Sequence, residues 1–338
     1  MMLLRRHRFC LLLLICGALL LLCTACGREE PVSSTQLLLD TLCTVKVWSP
    51  ADQELADRAM ETVADYESLF SPSLPESEIW KINHSGGESV TICAETAEML
   101  KLALDYCSLS GGRFDITVGR LSELWHFSDG GALPQPDAIA EALTSVNYQA
   151  LTIGGDADAG YTAQLSEAGA QLDVGAVAKG YIADQLAAFL RGQGADAALI
   201  DLGGNILTVG AKPGGGLWQI GIEAPFSDRT EIIGTLHVEE AAVVTSGIYQ
   251  RQFIEDGQLY HHILDPGTGY PAETDCVSVT VVASSAAAAD CLSTVALLLG
   301  RDAGGELLAA AEGVYGAVWV DHSGEIYLQG DLDFSRAV

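Results

Sequence analysis

A chain of 338 residues, 49% hydrophobic and only 18% charged, is long enough to bury one large core or two modest ones, and its composition excludes a disordered polypeptide. Forty-five acids against 17 lysines and arginines give a formal net charge of −28. Such a surface is unsuited to nucleic acid and is repelled by anionic lipid.

At the N-terminus, Arg5, Arg6 and Arg8 precede an apolar run at 9–22, which is short for a spanning helix and flanked as an export signal is. The run ends in Cys23-Thr-Ala-Cys26-Gly27. Small residues precede Cys26 as in bacterial lipoprotein signals, although Cys23 stands where such signals usually carry leucine. The expectation is a signal peptide over 1–25, a lipid anchor on Cys26, a polar tether over 26–36 and one domain over 37–338. Plain cleavage to a secreted protein and an uncleaved anchor are the alternatives. Cleavage before Cys26 removes three arginines and no acid, taking the net charge to −31. The tie to a membrane is then the lipid itself, and an anionic nucleotide needs local positive charge, a cation or oriented amides.

Residues 37–48 read as a strand broken at Asp40-Thr41. Helical spacing of Leu55, Ala59, Val63 and Tyr66 predicts a helix over 51–69, closed by Pro72 and Pro75. Residues 77–83 are a short helical or strand piece, 94–110 a helix stopped by Gly111-Gly112, and 136–146 a helix opened by Pro136. Short strands follow over 151–172. The segment 177–191 is an amphipathic helix with Asp173 placed as its N-cap. Strands are expected at 197–201, 206–210, 218–222, 232–238, 242–245, 250–254, 276–283, 317–320 and 325–328. A helix spans 286–299, Gly300 stops it, and a short one follows at 306–311. Without regular βαβ alternation the class is α+β, with mixed or antiparallel sheets and packed helices. Beyond the signal, Cys43, Cys93, Cys107, Cys276 and Cys291 are odd in number and far apart; neither a zinc site nor a disulfide framework is expected.

Several stretches offer chemistry. Asp173 to Tyr181 brings small residues and Lys179 to a helix entrance, which suits a phosphate-bearing ligand. Asp115 and Thr117 share a face of an extended segment. Leu202-Gly-Gly-Asn205 bares backbone after a strand, Thr245-Ser246-Gly247 ends another with two hydroxyls, and His261-His262 precede the turn Asp265-Pro-Gly-Thr-Gly269. Each taken singly is also what a tight turn or a cap uses. Asp290 and Thr294, four apart, project from one face of an otherwise apolar helix. Burying that acid uncompensated is costly, and a magnesium ion would compensate it; a capping or solvent-facing Asp290 is the alternative.

In this order the segments resemble the ApbE family, the FAD:protein FMN transferases of bacterial membranes and periplasm. The resemblance is carried by Asp40-Thr41, Ser77-Glu78 with Asn83, Phe114-Asp-Ile-Thr-Val-Gly119 with Trp125, and Asp173 with Ala178-Lys-Gly-Tyr181. It continues through Asp201-Leu-Gly-Gly-Asn205, Thr245-Ser-Gly247, His262 with Asp265-Pro and Thr268-Gly269, and Ala289-Asp290 with Thr294. The resemblance implies a T-fold-like catalytic unit that splits FAD, attaches FMN to a threonine or serine of a partner protein and releases AMP. It implies Mg²⁺ held by Asp290, Thr294 and the Ala176 carbonyl. The flavin nucleotide would be lined by Leu39, Phe114, Asp115, Ile116, Asp173, Lys179 and Ile263, with His262 and Asp290 catalytic. The partner would be an exported or membrane redox subunit. Two positions depart from the family: Leu39 replaces a common methionine, and Ser73 stands where many members carry a stacking tyrosine, leaving Phe70 as the nearby ring.

Attack of an alcohol on a pyrophosphate needs charge neutralisation, alignment and a proton acceptor. His262 is the candidate acceptor, oriented by Asp265 or Asp115, because an unperturbed imidazole titrates near 6.5. Two rival readings are an FAD pyrophosphatase, in which water replaces the hydroxyl, and a non-catalytic flavin-binding lipoprotein.

Overall fold

The structure, a computed structural model, describes residues 30–167, 169–227 and 231–337. The export signal and the anchor residue Cys26 lie outside the described residues. Among those described, no helix is long and apolar enough to cross a membrane.

Strands β1 (Val32–Leu38) and β2 (Thr41–Ser49) form a hairpin whose turn residues Leu39 and Asp40 have φ of 54° and 57°. Two consecutive left-handed residues make the tight reversal that antiparallel strands favour. The break expected at Asp40-Thr41 is therefore a chain reversal, and residues 32–36, expected as tether, are strand. Helix α1 (Gln53–Phe70) starts where Asp52 accepts from the Glu54 amide, and it buries Leu55, Ala59, Met60 and Val63 on one face. Ser77 caps the short α2 (Glu78–Asn83). After β3 (Val90–Ile92) come α3 (Ala94–Leu109), α4 (Gly119–Trp125) and α5 (Pro136–Leu143). The hairpin β4 (Leu151–Asp156) and β5 (Gly160–Leu165) takes β3 as its third strand.

Helix α6 (Ala178–Gly192) leads to β6 (Ala197–Leu202) and β7 (Asn205–Val209), then to β8 (Trp218–Glu223), β9 (Ile232–Val238) and β10 (Ala242–Gly247). A small hairpin of β11 (Gln252–Glu255) and β12 (Gln258–His261) precedes β13 (Cys276–Ala283). Helix α7 (Ala286–Ala310) is broken at Gly300, whose φ of 78° lies outside the helical region. The stop expected there is real, and the second segment restarts with the Arg301 amide donating to Asp275. Strands β14 (Val314–Asp321), β15 (Ile326–Gly330) and β16 (Asp333–Arg336) complete the chain. Strands β3, β12 and β16, of three or four residues each, are not among the strands expected from the sequence.

The main sheet runs β1-β2-β6-β7-β10-β13-β14-β15, with every ladder antiparallel. Helices α1, α6 and α7 cover one face, and the sheet β16-β9-β8 covers part of the other through Trp218, Ile220 and Leu236 against Val243, Val282 and Val318. Strand β13 is covered on both faces and buries all eight residues. That accounts for its unbroken apolar run. The five cysteines are free thiols, four of them buried.

The two helices over the sheet centre cap each other. Asp184 of α6 accepts from the Ser285 hydroxyl (2.7 Å) and from the Ala286 and Ala287 amides (2.9 and 3.0 Å), the orphan donors of α7. In return Asp290 of α7 accepts from the Gly180 amide in the first turn of α6 (2.9 Å). Asp184→Ala is expected to cost about 1–2 kcal/mol of stability, read as a lower urea midpoint with an unchanged slope. An unchanged midpoint would show that Ser285 alone caps α7.

Candidate active site

One end of the main sheet gathers the turns that matter. The β1–β2 turn holds Leu39, half-buried, whose amide donates to Glu67 Oε1 (2.7 Å). The β6–β7 turn is Gly203-Gly204, with φ of 69° and 91°, tied by the Gly204 amide to Asp201 Oδ1 (2.8 Å). A Cβ on Gly203 would lie within 3 Å of the Thr41 side chain, so glycine lets the two turns touch. The end of β10 lies beside them, because Val244 pairs with Asn205 across the ladder.

The entrance to α6 approaches from the helix layer. Asp173 does not cap this helix: the N-cap is Val177, with no side-chain cap bond. Asp173 Oδ1 instead accepts from the Gly175 amide (2.9 Å), bending the chain before the helix, and Lys179 Nζ donates to the Gly175 carbonyl (2.9 Å). Ala176 sits in that turn. The Gly180 amide goes to Asp290 rather than to the Ala176 carbonyl four residues back. Gly180 is the third residue of the helix, so its amide has no intrahelical acceptor and Asp290 supplies one.

From α7, Asp290 is only 5% exposed. Burial pushes its carboxyl above the usual range, opposed by the Lys179 ammonium, the Gly180 amide and the Asn205 side chain. One turn on, Thr294 Oγ1 lies 3.0 Å from Ser246 Oγ of β10, which also meets Ser293 Oγ at 2.8 Å. Thr245 points to the opposite face and pairs with Thr280 (2.8 Å). Asn205 is 2% exposed, and neither its amide nitrogen nor its oxygen has a hydrogen-bond partner.

Other expected residues are occupied elsewhere. Asp115 accepts from the Thr117 amide and hydroxyl (2.8 and 2.6 Å) and from the Tyr148 amide (2.9 Å), so it holds a turn and does not orient His262. Asp265 accepts from the Gly267 amide (2.7 Å) and pairs with Arg113 (3.4 Å), so it does not orient His262 either. The side chains of Phe114, Ile116 and Ile263 are buried in the core, so those positions present backbone more than side-chain surface. His262 is half-buried, its Nδ1 has no partner, and burial pushes its pKa down to about 4, with Arg251 and His261 adding to the shift. Phe70 packs in the core against Tyr66 and Tyr181 and cannot serve as the missing stacking ring, while Ser73 is exposed.

Several matching residues are braces that sequence reading left without a role. Asn83 grips both backbone groups of Leu172 (3.0 and 2.7 Å), just before Asp173. The Asp173 amide donates to the Ile116 carbonyl (2.8 Å), and the Trp125 indole donates to Gly269 (2.9 Å). Arg113 and Asp184 were not singled out, since only their distant partners reveal them. The ApbE family model matches residues 39–319.

The chain belongs to the ApbE family. It is a transferase, and its α+β architecture is that of the ApbE flavin transferases. It is 36% identical to the FAD:protein FMN transferase of Treponema pallidum over 87% of this chain and 88% of that one. It is 33% identical to that of Klebsiella pneumoniae over 88% and 91%. The crystal structure of the ApbE protein of Thermotoga maritima superposes with a TM-score of 0.80 at 31% identity, covering 89% of this chain and 97% of that one. The flavin transferase ApbE of Vibrio cholerae gives 0.77 at 26%, with the same coverage.

Among the described residues of this ApbE chain, no three His, Cys, Asp or Glu side chains cluster to hold a metal. The oxygen donors near the contact between α6 and α7 are the Asp290 carboxylate and, one turn on, the Thr294 hydroxyl; the Ala176 carbonyl precedes the α6 turn whose Gly180 amide meets Asp290. Oxygen donors with a single carboxylate suit a hard cation that keeps water and phosphate in its shell, and exclude a structural zinc. A buried carboxylate beside an unpartnered amide is what such a cation would satisfy.

Proposed function

We propose that this protein transfers the FMN half of FAD to a threonine or serine hydroxyl of a partner protein, with Mg²⁺ assistance and release of AMP. The observation that supports it is the buried Asp290 carboxylate, held by the first-turn amide of α6 beside Thr294 and Lys179. When bound, the cation supplies charge neutralisation at the pyrophosphate. Asp290, Thr294 and the Ala176 carbonyl would hold it. The Lys179 ammonium offsets negative charge on the nucleotide, and the glycine turn at 203–204 leaves room for backbone to approach. The acceptor hydroxyl oxygen forms a bond to the FMN-side phosphorus while the bond to the bridging oxygen breaks. AMP leaves with that oxygen, and the hydroxyl proton passes to a base.

His262 is the residue proposed for that proton. Its depressed pKa keeps it neutral, able to accept, at every pH above about 4. The kcat/KM profile for FMN transfer is therefore expected to show no limb near 6.5 and to fall only toward about 4. A limb near 6.5 that His262→Ala removes would overturn the burial argument, and parental activity in His262→Ala at saturating Mg²⁺ would exclude His262 as the base.

The anchor on Cys26, the outer face of the cytoplasmic membrane as location and an exported redox subunit as partner belong to the same proposal. They are supported by the sequence at 5–27. The test is incubation with FAD, Mg²⁺ and a candidate redox subunit, with fluorescence of the denatured subunit and AMP as readouts. Covalent flavin with equimolar AMP is expected. AMP and free FMN without covalent flavin would mean hydrolysis, and no AMP would mean storage.

A further inference from the structure

Asn205 begins β7 immediately after the Gly203-Gly204 turn. An asparagine in that place ordinarily serves the turn, but Asp201 already does so by accepting from the Gly204 amide. Asn205 is instead sealed beneath α7, 2% exposed, with both ends of its amide unpartnered. It faces Val244 across the ladder, and Ser246, two residues along β10, shares its face and meets Thr294. Burying an amide with both ends unmade costs free energy, and a native fold keeps such a group where something else completes it.

We propose that Asn205 is a positioning residue of the divalent-cation site: its amide nitrogen holds the Asp290 carboxylate toward the cation, and its amide oxygen accepts from a water in the cation's shell. The inference rests on the cation reading given above. By strict geometry the Gly180 amide is the one donor to this carboxylate. The Asn205 side chain stands close enough to lower the carboxyl's pKa without completing a hydrogen bond, so a small approach of its amide nitrogen would supply the second. Mg²⁺ keeps several waters, and the groups that hold ligands and waters in place typically change metal affinity 10–100-fold.

The test is calorimetric titration of Mg²⁺ into the full-length chain in detergent, without FAD, together with thermal melting in EDTA. Leucine has the branching and heavy-atom count of asparagine and no polar group to leave unmade. Asn205→Leu is expected to bind Mg²⁺ 10–100-fold more weakly while melting at or above the parent in EDTA. Asn205→Asp keeps the acceptor oxygen but loses the donor to Asp290, so it is expected to bind more weakly than the parent and more tightly than Asn205→Leu. Unchanged Mg²⁺ affinity in Asn205→Leu, or equal losses in both variants, would overturn the assignment. Melting of Asn205→Leu well below the parent would assign Asn205 to the scaffold and overturn it too. A parent that binds no Mg²⁺ would sink the cation reading itself, and that failure shows before any variant is made.

Discussion

On the cation reading proposed above, Asp290→Asn is expected to lower FMN transfer in Mg²⁺ by more than about 100-fold, since a direct ligand should matter at least as much as the groups that orient one. Asparagine keeps the shape and still accepts from the Gly180 amide, so the loss isolates the charge. In EDTA the same variant is expected to be more stable than the parent near neutral pH. The sign follows from burial: the folded-state pKa of Asp290 is raised, so stability is full below the unfolded value and falls as pH rises through the folded one. The stability gain should therefore shrink as the pH is lowered toward the usual carboxylate range. Melting curves in EDTA between pH 4 and 8, beside transfer assays in Mg²⁺, check both halves. Full activity in the variant would remove Asp290 from the site.

Gly180→Ala is expected to be the most damaging small substitution in the helix layer. A Cβ there would lie 2.3 Å from the Ala286 carbonyl oxygen and 2.7 Å from both the Ala286 carbonyl carbon and the Ala287 Cα. All three are backbone atoms at the start of α7, pinned by Asp184, so no rotamer change relieves the clash. Overpacking of this kind typically costs about 1–3 kcal/mol, and a backbone-on-backbone contact belongs at the upper end. The helices must separate, drawing the Gly180 amide away from Asp290. Both the melting temperature and transfer activity should fall together. A variant that melts like the parent would show that α6 and α7 can slide apart freely.

The sequence carried the element types well, because α1, α3, α6 and α7 have long periodic faces and β13 a continuous apolar run. It carried the pairing of Asp290 with Thr294, since four residues along a helix fix a shared face. It misplaced Asp173, which looked like a cap because it precedes a helical pattern; the turn at 175–177 delays the helix and leaves Asp173 to the bend. It misread Asp115 and Asp265 as partners of His262, because spacing cannot say which amides a carboxylate will meet. It offered Phe70 as a stacking ring, although the helical period that places Phe70 on the face of Val63 already directs it inward. The pKa of His262 was out of reach as well, since a local pattern does not report how deeply a side chain will be buried.

The reciprocal capping of α6 and α7 means that neither helix can fray at its start without exposing an acid of the other. The first turn of each helix, one delivering Lys179 and the other leading to Asp290, is therefore tied to the other through these bonds.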